Sequence, residues 1–126
     1  MKKEVIYSMD APEPGLYPQA IKCGNLIFVS GQTSENPVTN EVFNGSVTEQ
    51  TECILKNIRT ILNEAGSGLD KVLKCSVFLS SMNKFEEMNE VYRKFFPSDP
   101  PARVTVTVKG IDANLDVEVE VIAGVV

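Results

Sequence analysis

Two runs of alternating valine constrain the fold of this chain more than any other feature. Val104-Thr105-Val106-Thr107-Val108 follows Pro100-Pro101-Ala102-Arg103, and Val117-Glu118-Val119-Glu120-Val121 comes shortly after. Strict alternation of β-branched and polar residues marks a half-buried strand, with valines on one face and polar groups on the other. Arg103 then shares a face with Thr105 and Thr107, and Glu118 shares one with Glu120. If the two strands are antiparallel neighbours, a guanidinium and a carboxylate lie on one exposed sheet face. Such a pair can hold a small carboxylate and handle a proton, which a purely structural sheet does not need.

The 126 residues suit one domain, 1–126, with enough chain to bury a core unaided. A net charge of −5 with no basic cluster disfavours nucleic acid as a partner. No apolar run approaches a membrane span, and Met1-Lys2-Lys3-Glu4 leads into no signal-peptide core, so the cytosol is the expected compartment. Cys23, Cys53 and Cys75 are odd in number and lack a CxxC spacing, which predicts reduced, packed thiols. The chain has no histidine. Histidine triads, Cys-His dyads and His-ligated metals are therefore excluded. No P-loop or GxGxxG points to a nucleotide. Acid–base work falls to Glu, Asp, Tyr, Lys, Cys or held water.

Along the chain, Val5 to Tyr7 reads as a short edge strand and Asp10 to Pro18 as an irregular Pro/Gly loop. Gln19 to Cys23 and Leu26 to Ser30 form a hairpin turned at Gly24-Asn25, with Ser30-Gly31-Gln32 leaving the strand. Ser46-Val-Thr-Glu49 is a capping box that opens a helix. Ile54, Leu55, Ile58, Ile61, Leu62 and Ala65 are its apolar face, and Gly66 sits at its C-cap. Val72 to Leu79 is a strand. Asn83-Lys-Phe-Glu86 opens a second helix with the stripe Phe85, Met88, Val91, Tyr92 and Phe95, stopped by Pro97. Two helices cannot cover both faces of so wide a sheet, so both are expected on one face. The other face must meet water or another subunit.

Five separated motifs then fall in order: Gly15-Leu-Tyr17-Pro-Gln19-Ala20; Phe28-Val-Ser30-Gly31-Gln32; Asn89-Glu-Val-Tyr92 with Phe95-Phe96; Pro101-Ala102-Arg103; and Val117-Glu118-Val-Glu120-Val-Ile-Ala123. Over nearly its whole length the chain resembles the RidA/YjgF family of reactive imine deaminases. The resemblance implies an α+β, chorismate-mutase-like fold, with a six-stranded mixed sheet and two helices on one face. It also implies a homotrimer with three ligand clefts between subunits. The implied activity is hydrolysis of 2-aminoacrylate and related enamine or imine products of Ser/Thr dehydratases to 2-oxo acids and ammonia, with no cofactor and no metal.

By that resemblance Arg103 grips the substrate carboxylate, Glu118 stands near the attacking water, and Tyr17 closes the cleft. Ser30 and Gly31 match positions where the chain nears the ligand, and Asn89 matches a polar position on the second helix. Thr105 stands where many members carry cysteine, keeping the backbone groups expected to face the ligand. Leu16 replaces a usual proline, and Ile111-Asp112 stands where Leu-Pro is common. Glu120 is taken as scaffold. Two other functions remain open from sequence: a ribonuclease or translation inhibitor, and a non-catalytic trimer that binds a 2-oxo acid.

Overall fold

The computed structural model describes residues 1–125. Its strands are β1 (Lys3–Ile6), β2 (Ala20–Cys23), β3 (Leu26–Gln32), β4 (Val72–Leu79), β5 (Ala102–Thr107) and β6 (Val117–Gly124), and its helices are α1 (Val47–Glu64) and α2 (Phe85–Phe95). One mixed sheet runs β1-β2-β3-β6-β4-β5. The β4–β5 pair is parallel and every other pairing is antiparallel. A parallel pair needs a long crossover, which α2 supplies. Because β3 and β4 each run antiparallel to β6, they are parallel to one another, and α1 connects them across the sheet face.

Local sequence explains the helix ends. The Ser46 hydroxyl accepts the Glu49 N–H at 3.1 Å, and the Glu49 carboxylate accepts the Ser46 N–H at 2.9 Å. This is the reciprocal capping box expected from the motif. Gly66, at φ 81°, turns the chain out of α1 where a side chain would be strained. The second helix begins differently from expectation. Ser81, not Asn83, does the capping: its hydroxyl accepts the Asn83 N–H at 3.3 Å on a short 3₁₀ turn, Met82–Lys84. The α-helix takes over at Phe85. It ends at Phe95 because Phe96 precedes Pro97 and is held out of the helical region.

Both helices lie on one face. Ile54, Leu55, Ile58, Ile61 and Leu62 of α1 and Met88 of α2 are wholly buried against Ile27, Val77, Val117 and Ala123 of the sheet. In β6 the alternation reads as expected, with Val117, Val119 and Val121 inward. In β5 it is inverted. Thr105 pairs with the buried Val77 and Arg103 with the buried Cys75, so these polar residues face α2. Val104 and Val106 point to the open face and are 41% and 39% exposed. This strand is the sheet edge, where α2 offers polar and aromatic groups instead of a sealed core.

Two further differences bear on function. β3 continues through Gly31 to Gln32, with a bulge between Val29 and Gln32 where the motif suggested an exit. Such bulges re-aim side chains. Secondly, β5 and β6 are not neighbours: β4 lies between them. The open face carries Val5, Ile21, Phe28 and Ile122 in one cross-strand row, then Val104 and Val106 beside Ser76 and Phe78. Phe28 is 42% exposed. Lys74, Ser76, Glu118 and Glu120 lie on the same face between the two apolar groups. Among the described residues, no helix is long and apolar enough to cross a membrane.

Candidate active site

Glu118 leaves the open face of β6 and reaches across to β3. It sits opposite Phe78 of β4, and its carboxylate lies over the backbone of Gly31. A Cβ at Gly31 would collide with that carboxylate, with Cδ only 3.3 Å away. Glycine here permits the carboxylate's close approach, and a larger residue would push the carboxylate aside. Around the two residues is a cleft of about 80 Å³, lined by Glu13, Tyr17, Gly31, Glu35, Asp112 and Glu118 among others.

The wall that carries Tyr17 is fixed by Gln19. This wholly buried amide donates to the Ser8 and Pro12 carbonyls at 3.1 and 2.9 Å and accepts the Ser8 N–H at 2.7 Å. Ser30 adds to the same wall, its hydroxyl donating to the Pro18 carbonyl at 2.7 Å. The Ser30 side chain thus holds the Tyr17 loop, while Gly31 borders the cleft. Tyr17 itself is 54% exposed at the mouth. Tyr7 donates to Glu13 at the rim.

The charge here is one-sided. Among the described residues, no Lys or Arg lines the cleft. Burial pushes the Glu118 carboxyl above its ordinary pKa, and the nearby charges of Glu120 and Asp112 add to the rise. Glu35 is also raised, first by burial and then by Asp112, against a 3.3 Å hydrogen bond from the Thr33 hydroxyl. A carboxyl raised this way exchanges protons closer to neutrality than a solvated one.

Arg103 occupies a second place altogether. It projects to the helix side of β5, beneath α2, where its Nη1 donates to Asn89 Oδ1 at 2.7 Å. Its guanidinium carbon stands 4.6 Å from the Tyr92 ring centre and 5.6 Å from that of Phe85. Asn89, Tyr92, Arg93, Phe96, Pro100, Pro101 and Arg103 line a hollow of about 360 Å³ there. Among the described residues no carboxylate pairs with Arg103; the sole ion pair is Lys71–Asp70 at 3.7 Å. A half-buried guanidinium with one neutral acceptor keeps most of its five donors for something else. Close by, burial pushes the Cys75 thiol up to about 11, with the Tyr92 hydroxyl and Arg103 opposing. Thr105 lies on the same strand face as Arg103, and its buried hydroxyl has no partner among the described residues.

Arg103 and Glu118 therefore do not share a face, as the adjacent-strand reading required. Cys75 links Arg103 to the buried Val121, whereas Phe78 links Glu118 to the exposed Val106. One chain brings Tyr17, Gly31 and Glu118 together on one side and Arg103, Asn89 and Thr105 on the other. Sequence reasoning missed Glu13 and Glu35 in the cleft, and noted Asp112 only as a departure from the family pattern; the three reach the cleft from separate loops. It also read Phe85 and Tyr92 only as core stripe. All three cysteines are free thiols.

Because Glu35 and Glu118 bind protons more tightly folded than unfolded, stability falls as pH rises through their folded pKa values. Glu35→Gln removes one of these titrations. Urea midpoints of variant and parent should coincide below the ordinary carboxylate range. Above it the variant should become relatively more stable; a parent that gains on the variant as pH rises contradicts this account.

Comparison with known proteins gives a uniform answer. The family model for endoribonuclease L-PSP matches residues 9–125. A RutC family protein of Pyrococcus abyssi is 47% identical over 124 residues, covering 98% of each chain. The chloroplastic Reactive Intermediate Deaminase A of Arabidopsis thaliana is 40% identical over 98% of this chain and 66% of its own length. Among solved structures, yeast Mmf1 superposes with a TM-score of 0.95 at 38% identity, covering 99% of this chain and 100% of that one. With fold, length and motif order all agreeing, the chain belongs to the RidA/YjgF family, which the endoribonuclease L-PSP model describes.

Proposed function

We propose that this protein hydrolyses reactive enamine and imine acids, 2-aminoacrylate with its tautomer 2-iminopropanoate, and 2-iminobutanoate, to 2-oxo acids and ammonia. The observation that carries this reading is Arg103: a half-buried guanidinium that no carboxylate of the described chain neutralises. Its fork matches a carboxylate bidentately, with charge-assisted bonds worth roughly 1.5–3 kcal/mol each. Lysine would not reproduce that geometry. The deaminase named among the relatives adds support.

In this reading the working unit is a homotrimer, whose apolar open faces cover one another and whose sites form between subunits. Arg103, Asn89 and the unpaired backbone edge at Thr105 come from one chain; Tyr17, Gly31 and Glu118 come from its neighbour. The enamine first takes a proton from solvent at its terminal carbon to give the iminium. Water held by Glu118 then attacks the imine carbon. Glu118 takes one proton from that water and returns it to nitrogen. It then takes the remaining hydroxyl proton as the carbonyl forms, the C–N bond breaks and ammonia leaves, and that proton passes to the ammonia or to solvent. Its raised pKa suits both directions of transfer. The reaction transfers no electrons, and such imines already hydrolyse in water, so positioning supplies much of the acceleration needed.

The family model's name invites a second reading, RNA cleavage. The carboxylate-lined cleft and a net charge of −5 oppose it, because a polyanion would meet repulsion at the site itself.

Threonine dehydratase can generate 2-iminobutanoate in place, with semicarbazide trapping what is not hydrolysed. The protein should speed 2-oxobutanoate release and reduce trapping, and Arg103→Ala should lose at least about tenfold of that effect. Absence of any effect from the wild type with three- and four-carbon imines would leave the deaminase reading without support. Gly31→Ala should fold, yet displace the Glu118 carboxylate and cost as much activity as Glu118→Gln. Combining the two should cost little more than either, since both disable one group; fully additive losses contradict the Gly31–Glu118 arrangement.

A further inference from the structure

Arg103 is held by more than one helix residue, and the manner of holding has a chemical consequence. Phe85, Asn89 and Tyr92 follow one another at i, i+4 and i+7, so they lie on a single face of α2. All three meet the guanidinium. Tyr92 and Phe85 present rings at 4.6 and 5.6 Å, and Asn89 accepts one N–H at 2.7 Å. The helix is anchored from behind by Met88 and Val91, 0% and 1% exposed, so the three side chains are presented from a rigid element.

We propose that Phe85, Asn89 and Tyr92 form a seat that fixes the guanidinium plane, making them positioning residues for carboxylate recognition. This rests on the deaminase reading and specifies how its anion grip is built. Aromatic rings attract the cation without using its edge donors. An amide oxygen orients the fork without neutralising it, whereas a carboxylate at residue 89 would satisfy the charge internally. The remaining in-plane N–H groups stay free for an outside acceptor, and the planar match favours a carboxylate over a neutral carbonyl. Tyr92 contributes its ring alone: its buried hydroxyl makes no hydrogen bond of ordinary geometry, although the Cys75 thiol is near.

The test is titration of the intact protein with 2-oxobutanoate and, as an uncharged probe of equal shape, 2-oxobutanamide. Phe85→Leu and Asn89→Ala should each weaken 2-oxobutanoate about tenfold and leave the amide unchanged, collapsing the acid-to-amide preference. Phe85→Tyr should keep the preference that Phe85→Leu loses, and Asn89→Asp should abolish it. Two variants at separate residues guard against misfolding of one, and circular dichroism checks each. If folded Phe85→Leu and Asn89→Ala keep the parent's preference while Arg103→Ala loses it, the seat is overturned and the Arg103 grip stands. Equal weakening of acid and amide also overturns the seat, since that is a general structural loss. If Arg103→Ala binds 2-oxobutanoate as the parent does, the grip and the seat fall together.

Discussion

The placement of β6 between β3 and β4 decides where chemistry can happen in this protein. It puts β4 between Arg103 on β5 and Glu118 on β6. Registers across β4 then send the guanidinium beneath α2 and the carboxylate to the open face. Each half is built with care for its own group. The Glu118 carboxylate occupies the space that a side chain at Gly31 would take, and Arg103 has rings and an amide around it but no counter-ion among the described residues. In the proposed trimer, two such halves on opposite sides of one sheet would make a single site where two chains meet.

The same topology supplies a reason for chains to meet. The open face offers Val5, Phe28, Val104 and Val106 to solvent, and burying such surface is favourable by about 25 cal/mol per Å². Edge strand β5, whose valines turn outward and whose arginine turns inward, belongs to both features at once. Its inverted alternation looks like a fault in a monomer. In the proposed assembly it would set an apolar rim beside the unpaired guanidinium of Arg103.

Much of this was legible in the sequence, and the failures are instructive. The capping box at Ser46, the glycine stop at Gly66 and the strand Val72–Leu79 follow from local rules, and the structure keeps them. Motif order identified Glu118, Gly31 and Arg103 as residues of interest. Period-two alternation, however, fixes only which residues share a face; it does not say which face is inward. For β6 the valines are inward, and for β5 they are outward, because the partner helix differs. Nor does alternation reveal strand order, so β5 and β6, adjacent in sequence, seemed adjacent in space. Glu13 and Glu35 escaped notice, and Asp112 was noted without a role, since no spacing rule unites three loops. Phe85 and Tyr92 fit a helical core stripe perfectly well while also holding Arg103.

The central claim is that Arg103 and Glu118 act together only across a subunit boundary. Arg103→Ala and Glu118→Gln chains, differently tagged and each inactive alone, can be co-expressed and the mixed oligomers isolated. Every single chain then lacks one of the two groups, yet some boundaries pair an intact Arg103 with an intact Glu118. The account predicts recovery of imine hydrolysis at about one site in three of each mixed trimer. Mixed oligomers as inactive as their parents would contradict it, since that result requires both groups to serve from the same chain.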